Sequence, residues 1–287
     1  VRTRSTPGAA GTVVNNLIAL GVREIIAVGV IGLDGYGYQL SRLLEEQGVD
    51  VSNLVKCATR VTPTYIKPMR EQEQGYEELN RLDLKNWSPT PVELEEQIIA
   101  TIKAQAASLD AIIVADQVEQ DNCGVITQRV RSSLAELGKE YPELIIFADS
   151  RKNIGKFAKV IIKPNEFEGG RALGIISATE SPEEVLRSLF QRSQRSVFLT
   201  CGERGQWVYD GEIIAHVPAF KVEGPIDIVG AGDSTSAGIV IALASGATPE
   251  KAALLGNLVA SITITKLGTT GTASPEEILA RFAKCNS

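Results

Sequence analysis

The sequence predicts an α/β protein built on a doubly wound, mostly parallel sheet, and three observations predict it. Short, nearly continuous apolar runs recur at residues 25–31, 111–115, 144–148, 160–162 and 197–200, as strands covered on both faces require. Segments with apolar residues at helical spacing lie between them. The 287 residues are 44% hydrophobic and 22% charged, which supports a substantial core and excludes a disordered or fibrous chain.

Taken in order, residues 8–21 read as a helix opened by Pro7-Gly8, and 25–31 as the first strand of the sequence. Residues 56–85 lack helical periodicity, carry many charges and show the alternation Thr62-Pro63-Thr64-Tyr65-Ile66, which predicts a small lid of two or three strands off the main sheet. A helix is expected at 92–108 after a Pro-rich start, and another at 124–138 with Gly138 as its C-cap. Ser181-Pro182-Glu183-Glu184 opens a helix over 182–194, with an N-cap followed by acids in the first turn. Residues 205–224, turning at Asp210-Gly211, predict an antiparallel hairpin at the sheet edge. An apolar helix over 234–245 ends at Gly246, and 249–264 is the next helix. No repeat, low-complexity tract or linker divides the chain, so 1–287 is read as one domain with the lid 56–85 inside it.

The formal net charge is −6, so no basic field exists to collect phosphate backbones, which argues against nucleic acid and anionic membrane as partners. Cys57, Cys123, Cys201 and Cys285 form no C-x-x-C pair, and a single His216 leaves no material for a zinc site or a histidine triad. Reduced thiols in the cytoplasm are expected. The apolar runs fall well short of the ~18 residues of a membrane span, and no basic-then-apolar leader opens the sequence, so neither insertion nor export is expected. Residue 1 is Val and a helix already begins at Gly8, so sequence preceding Val1 is expected.

The chemistry concentrates at Asp227-Ile-Val-Gly230-Ala231-Gly232-Asp233, running directly into the helix 234–245. Glycines before a helix let backbone N–H groups converge, and the helix dipole adds partial positive charge, so Gly230, Ala231 and Gly232 form an anion hole that fits a phosphate. Asp233 beside a phosphate site needs its own task, and accepting a proton from an attacking hydroxyl is one. A glycine turn with Asp233 as N-cap accounts for the same residues.

In Asp227-x-x-Gly-Ala-Gly-Asp233 the chain resembles the ribokinase-like (PfkB) carbohydrate kinases, as it does in Pro7-Gly8-Ala9-Ala10, Gly29-x-x-Gly32-x-Asp34-x-x-Gly37, Asn165-Glu-Phe-Glu168 and Thr200-x-Gly202-x-x-Gly205. The resemblance covers residues 8–279 and implies a ribokinase-like fold, ATP and Mg²⁺, and a small sugar or sugar phosphate as substrate. It makes Asp233 the catalytic base and Gly230, Ala231 and Gly232 the hole for the transferred phosphoryl group. Asn165 and Glu168 serve the phosphate and Mg²⁺ side, Glu168 through water, and Thr200, Gly202, Gly205 and Asn257 the nucleotide. Asp227, with Gly268 and Gly271, resembles a monovalent-cation site. Each has a structural alternative: Asn165-x-x-Glu168 is also a helix capping box, and Asn257 a polar residue on a helix face. Gly8 and Thr12 occupy the sugar end, with departures: Ala9 replaces the family's second glycine and Thr12 its sugar-binding Asn. Residues 62–67 and 80–83, with Asp116 and Asp149-Ser-Arg151, look most like the heptose-phosphate kinase branch, and Lys67, Arg70 and Arg81 on the lid are either contacts to a substrate phosphate or solvated charges. The resemblance implies a lid that covers the sugar or pairs across a homodimer.

Two other readings compete. A nicotinamide oxidoreductase would use Gly230-x-Gly232, but Thr235 stands where the third glycine belongs and Glu250 lies at a helix start. A non-catalytic sugar or nucleotide sensor on the same fold is favoured by Ala9 and Thr12 and opposed by Asp233. His216, Trp87 and Trp207 are read as structural.

Overall fold

The computed structural model describes residues 3–72, 75–175 and 181–285. Gly8, at φ 72°, turns the chain into α1 (Gly8–Ala19), followed by β1 (Gly29–Gly32), α2 (Gly35–Glu45) and β2 (Leu54–Cys57). The lid comprises β3 (Thr64–Ile66), β4 (Met69–Gln72), β5 (Gly75–Glu78) and β6 (Leu82–Leu84). Then come α3 (Val92–Gln105), β7 (Ala111–Asp116), α4 (Gln128–Glu140), β8 (Ile145–Ser150), β9 (Ile161–Ile162), α5 (Glu166–Leu173), α6 (Pro182–Ser193) and β10 (Val197–Thr200). The hairpin β11 (Gln206–Tyr209) and β12 (Ile214–Val217) precedes α7 (Ala231–Ala244), α8 (Pro249–Thr263) and α9 (Pro275–Cys285).

The main sheet runs β12-β11-β10-β9-β8-β7, parallel from β7 to β10 and antiparallel through the hairpin. Side chains alternate across it as strand geometry demands. Ile146, Ile162 and Leu199 pack with Ile98 of α3, Leu134 and Leu137 of α4, and Leu186 and Leu189 of α6. Their strand neighbours Phe147, Ile161 and Phe198 meet Ile239 and Val240 of α7 and Ala252 and Ala253 of α8. Helices on both faces explain why these strands read as unbroken apolar runs.

The lid is built as two antiparallel ladders, β3 with β6 and β4 with β5. It starts later than residue 56, because Lys56 and Cys57 belong to β2, opposite Ile31 and Gly32 of β1. Its root is tied twice. The Asp34 carboxylate accepts N–H groups from Gly37 at 2.7 Å and Thr62 at 2.8 Å, while Gly32 N–H donates to Thr62 Oγ1 at 2.9 Å. Burial alone would raise the Asp34 pKa, but these hydrogen bonds outweigh it and hold the carboxyl below its usual value. Gly37 has no room for a side chain, since a Cβ there would stand 2.4 Å from the Gly32 carbonyl oxygen. Arg60, also buried, donates to the Ser88 and Pro89 carbonyls, to Thr90 Oγ1 and to the Cys123 carbonyl.

Several expectations change. β1 is shorter than the 25–31 run, because its hydrogen-bonded partner among the described residues is β2 alone and residues 25–28 remain half-buried. α4 begins at Gln128, where Thr127 caps it, and continues past Gly138 to Glu140. Gly138 is thus not a C-cap. The Lys159 carbonyl oxygen comes within 2.1 Å of where its Cβ would lie, so glycine is required by close approach. Trp87 is 72% exposed and packs little, whereas Trp207 stacks on His216 at 4.6 Å between ring centres, and His216 Nε2 meets the Arg204 carbonyl.

Gly138→Ala forces α4 away from the 157–160 segment, and a loss of about 1–3 kcal/mol is expected in urea unfolding. An unchanged midpoint would show that the backbone relaxes without cost.

Candidate active site

α7 begins three residues earlier than the apolar run suggests. Its N-cap is Gly230, at φ 83° and without a side-chain cap, and Asp233 is its third residue. Asp233 is therefore not the cap, and its carboxylate makes no hydrogen bond with the described residues. The Ala231 N–H is taken by the Ile228 carbonyl at 3.1 Å, so the amides left to face an anion are those of Gly232 and Asp233. This narrows the hole expected from Gly230, Ala231 and Gly232, with Gly230 supplying the turn.

A residue without an assigned role in the sequence reading dominates the surroundings. Lys163 leaves β9 fully buried, its backbone N–H bonded to the Ala148 carbonyl. Its ammonium pairs with Asp149 Oδ2 of β8 at 2.8 Å, and Ser236 of α7 donates to the same oxygen at 3.3 Å. A Cβ on Gly232 would lie 3.7 Å from Lys163 Nζ, so the cation rests against the first turn of α7. Burial pulls the Lys163 pKa down, but Asp149, Glu168 and Asp233 outweigh it and the ammonium stays charged. A charged residue ending a strand buried on both faces is the signal that would have found it.

Two carboxyls near this cation, Asp233 and Glu168, are raised. Asp233 is pushed up to about 6, first by burial and then by Asp149, against the opposing pull of Lys163 and Arg151. Burial also raises Glu168, with Asp149 adding to it, while the Asn165 N–H, Lys163 and Arg151 draw it down. The capping box forms in full: Asn165 N–H donates to Glu168 Oε2 at 2.8 Å, and Glu168 N–H to Asn165 Oδ1 at 2.9 Å. Glu168 Oε1 remains available. No group of three or more His, Cys, Asp or Glu that could hold a metal exists among the described residues. Mg²⁺ fits such a sparse set, because it keeps several waters and takes the remaining oxygens from phosphates.

The other candidates divide. Thr200 N–H bonds the Pro164 carbonyl, bringing Thr200 beside Asn165, and Gly202 and Gly205 turn the chain behind it at φ 58° and 90°. Asn257 is spent internally: it is buried, donates to the Val217 and Pro218 carbonyls, and accepts from Gln206 at 2.6 Å. Asp227 clasps two loops, accepting the N–H groups of Val229 at 3.0 Å and Gly268 at 3.3 Å. Thr12 is buried, its hydroxyl donates back to the Gly8 carbonyl, and its methyl carbon lies 3.1 Å from where a Gly230 Cβ would be. Its hydroxyl therefore serves α1 and is not presented to a ligand. Lys67, Arg70 and Arg81 lie on the exposed lid, already paired with Glu78, Glu77 and Asp83.

The Asp233 environment has a measurable stability signature. Below about pH 4 its carboxyl is protonated in both the folded and unfolded chain and costs nothing. Between pH 4 and about 6 the unfolded chain ionises first, so stability falls, and above 6 a penalty of about 2–3 kcal/mol persists. Asp233→Asn should melt higher than wild type at pH 7.5 and equally near pH 4 in calorimetry. Equal melting at both values would show that the ionised carboxylate is not desolvated.

A family profile described as pfkB family carbohydrate kinase matches residues 2–277. Among curated proteins, the "Bifunctional protein HldE" of Geotalea uraniireducens is 30% identical over 283 residues, covering 96% of this chain and 55% of that protein. The protein of the same name from Citrifermentans bemidjiense is 31% identical over 277 residues, covering 95% and 55%. The chain spans about half the length of these relatives. Among solved structures, phosphofructokinase-2 from Escherichia coli in complex with potassium superposes with a TM-score of 0.74 at 16% identity, covering 96% of this chain and 86% of that one. Ribokinase from Thermotoga maritima gives 0.70 at 19%, covering 96% and 87%. At those identities the structures establish the ribokinase-like fold, and the profile spanning almost every residue carries the rest: the chain belongs to the pfkB family of carbohydrate kinases.

Proposed function

We propose that this chain transfers the γ-phosphoryl group of ATP to a hydroxyl of a sugar or sugar phosphate. The observation that carries the proposal is Asp233: a carboxylate without a hydrogen-bond partner among the described residues, raised to about 6, beside two free amides and a buried ammonium. Asp233 orients the acceptor hydroxyl and takes its proton as that oxygen bonds to the γ-phosphorus. The bond between the γ-phosphorus and the bridging β–γ oxygen then breaks, and ADP leaves. The Gly232 and Asp233 N–H groups and Lys163 face the charge on the moving phosphoryl group. Glu168 and Asp149 would hold Mg²⁺ through their free oxygens and through water, the ion neutralising phosphate charge when bound. Asn165, Thr200, Gly202 and Gly205 line the nucleotide side, and a monovalent cation at Asp227 would use the lone pairs left by its two N–H bonds.

The lid motif 62–67 makes a heptose phosphate the first acceptor to try, and Lys67 and Arg81 its phosphate ligands. Exposed ion pairs contribute little, so both can exchange a lid carboxylate for a substrate phosphate at small cost. Tyr65, Met69, Leu82 and Trp87 are all exposed on or beside the lid, which supports pairing of lids in a homodimer. The second reading is a non-catalytic sensor on the same fold, supported by Ala9 and Thr12 where the family has a glycine and a sugar-binding Asn.

ADP release across a panel of sugars and sugar phosphates, with and without Mg²⁺, separates these readings, since ATP binding without turnover would leave the sensor. In the active case Asp233→Asn should lower kcat by about 10²–10⁴-fold with ATP affinity retained. The kcat/KM profile should rise with pH through about 6, because only the ionised carboxylate accepts a proton. Wild-type turnover in Asp233→Asn would end this mechanism.

Lys67→Ala and Arg81→Ala should each raise KM for a sugar phosphate by about 10–100-fold while leaving the ATP KM unchanged. Unaltered KM in both variants would return these cations to the solvated lid face.

A further inference from the structure

A cavity of about 490 Å³ opens between α4 and residues 156–158, and its lining shares no residue with the Asp233 centre. Gln128, Arg131 and Ser132 line it from one face of α4, Asp121 and Asn122 from the preceding loop, and Lys156 from the opposite wall. Arg131 is only 9% exposed, yet among the described residues only one of its five N–H donors is engaged, through Nη1 to the Ile126 carbonyl at 2.9 Å. Asp116 and Asp121 attract it from nearby, but neither makes a hydrogen bond to it. Asp116 accepts from Ser150 at 2.6 Å and Asn153 at 3.3 Å, and Asp121 is shared between Lys152 at 3.4 Å and Lys156 at 3.6 Å. A guanidinium withdrawn from water without a hydrogen-bonded counter-ion is costly, and burial accordingly lowers its pKa. The Gln128 side-chain amide, Asn122 Nδ2 and Ser132 Oγ also make no hydrogen bond with the described residues. Two cations against one shared carboxylate, with neutral donors on both walls, form a lining complementary to a small oxyanion.

We propose that this cavity binds a phosphate group, free or carried by a small monoester, on Arg131 and Lys156, at a site separate from the Asp233 centre. The guanidinium takes two oxygens through its free fork, the ammonium a third, and the Gln128 and Ser132 side chains complete the shell. The site stands next to the lid root, because Thr90 N–H bonds the Asn122 carbonyl at 2.8 Å and Thr90 Oγ1 the Gly124 carbonyl at 2.7 Å.

Amide spectra of ¹⁵N-labelled protein test the proposal, titrated at constant ionic strength with inorganic phosphate, with glycerol phosphate, and with chloride as control. Saturable shifts at Gln128 and Ser132 are expected with one or both phosphates and not with chloride; saturation by the monoester alone would assign the carried group. Arg131→Lys keeps the charge but loses the fork and should weaken binding about tenfold or more, and exposed Lys156→Ala should weaken it about threefold or more. Linear shifts, shifts confined to Gly232 and Asp233, or undiminished affinity in Lys156→Ala would overturn it. Should Arg131→Lys fail to fold, Lys156→Ala decides alone.

Discussion

The rest of the site depends on one buried charge. Lys163 is withdrawn completely from water, and an ammonium so placed is tolerated only with a close counter-ion. Asp149 provides it at 2.8 Å, and Ser236 secures the same oxygen from α7. That one contact therefore joins β8, the end of β9 and the helix carrying Asp233. It also explains how three acids, Asp149, Glu168 and Asp233, sit together at the strand ends without forcing the structure apart. The lysine and Arg151 offset part of their repulsion, and what remains appears as the raised pKa of Asp233 and Glu168. The site stores a local cost in exchange for a carboxylate that is both ionisable near neutrality and unengaged.

The sheet makes this convergence possible. Parallel β8, β9 and β10 all deliver their carboxyl ends to one edge, so Asp149, Lys163 and Thr200 arrive together from points far apart in the chain. Alternation across the same strands buries Phe147 and Phe198 on one face and Ile146 and Leu199 on the other, fixing the register that aims them. The helix starts then take up the edge: α5 with its capping box and α7 with its glycine N-cap each present backbone donors where the strands stop.

What was legible in the sequence is what depends on local pattern. The strand runs, the caps at Ser181 and Asn165 and the edge hairpin are written in consecutive residues, as is the glycine turn before Asp233. Pairing across the fold is not. The Lys163–Asp149 contact joins residues fourteen apart on different strands, and the local pattern flags only a charge closing a buried strand, not the acid that pairs with it. Gly138 misled for a related reason: glycine is the usual stop signal for a helix, but here a carbonyl from another segment occupies the space of its side chain. Asn257 and Thr12 have the residue types a ligand contact needs, yet both are consumed by the fold, and only their distances reveal it.

The lid is held unevenly. Its root is fastened by hydrogen bonds with little access to solvent, Asp34 to Thr62 and Arg60 to five acceptors, and a Cβ at Gly37 would not fit within that knot. Its outer strands pair through their backbones, and the side-chain pairs among them, Lys67–Glu78, Arg70–Glu77 and Arg81–Asp83, face solvent and are screened. Buried bonds at the base and exposed side-chain pairs at the tip make the lid cations the more easily exchanged partners. The lid cations can therefore move from a lid carboxylate to another anion without unfolding anything, whereas Lys163 cannot leave Asp149 without stranding a buried charge. In the proposed reaction, selectivity for an acceptor would fall to the exposed lid cations and the chemistry to the buried Asp233 centre.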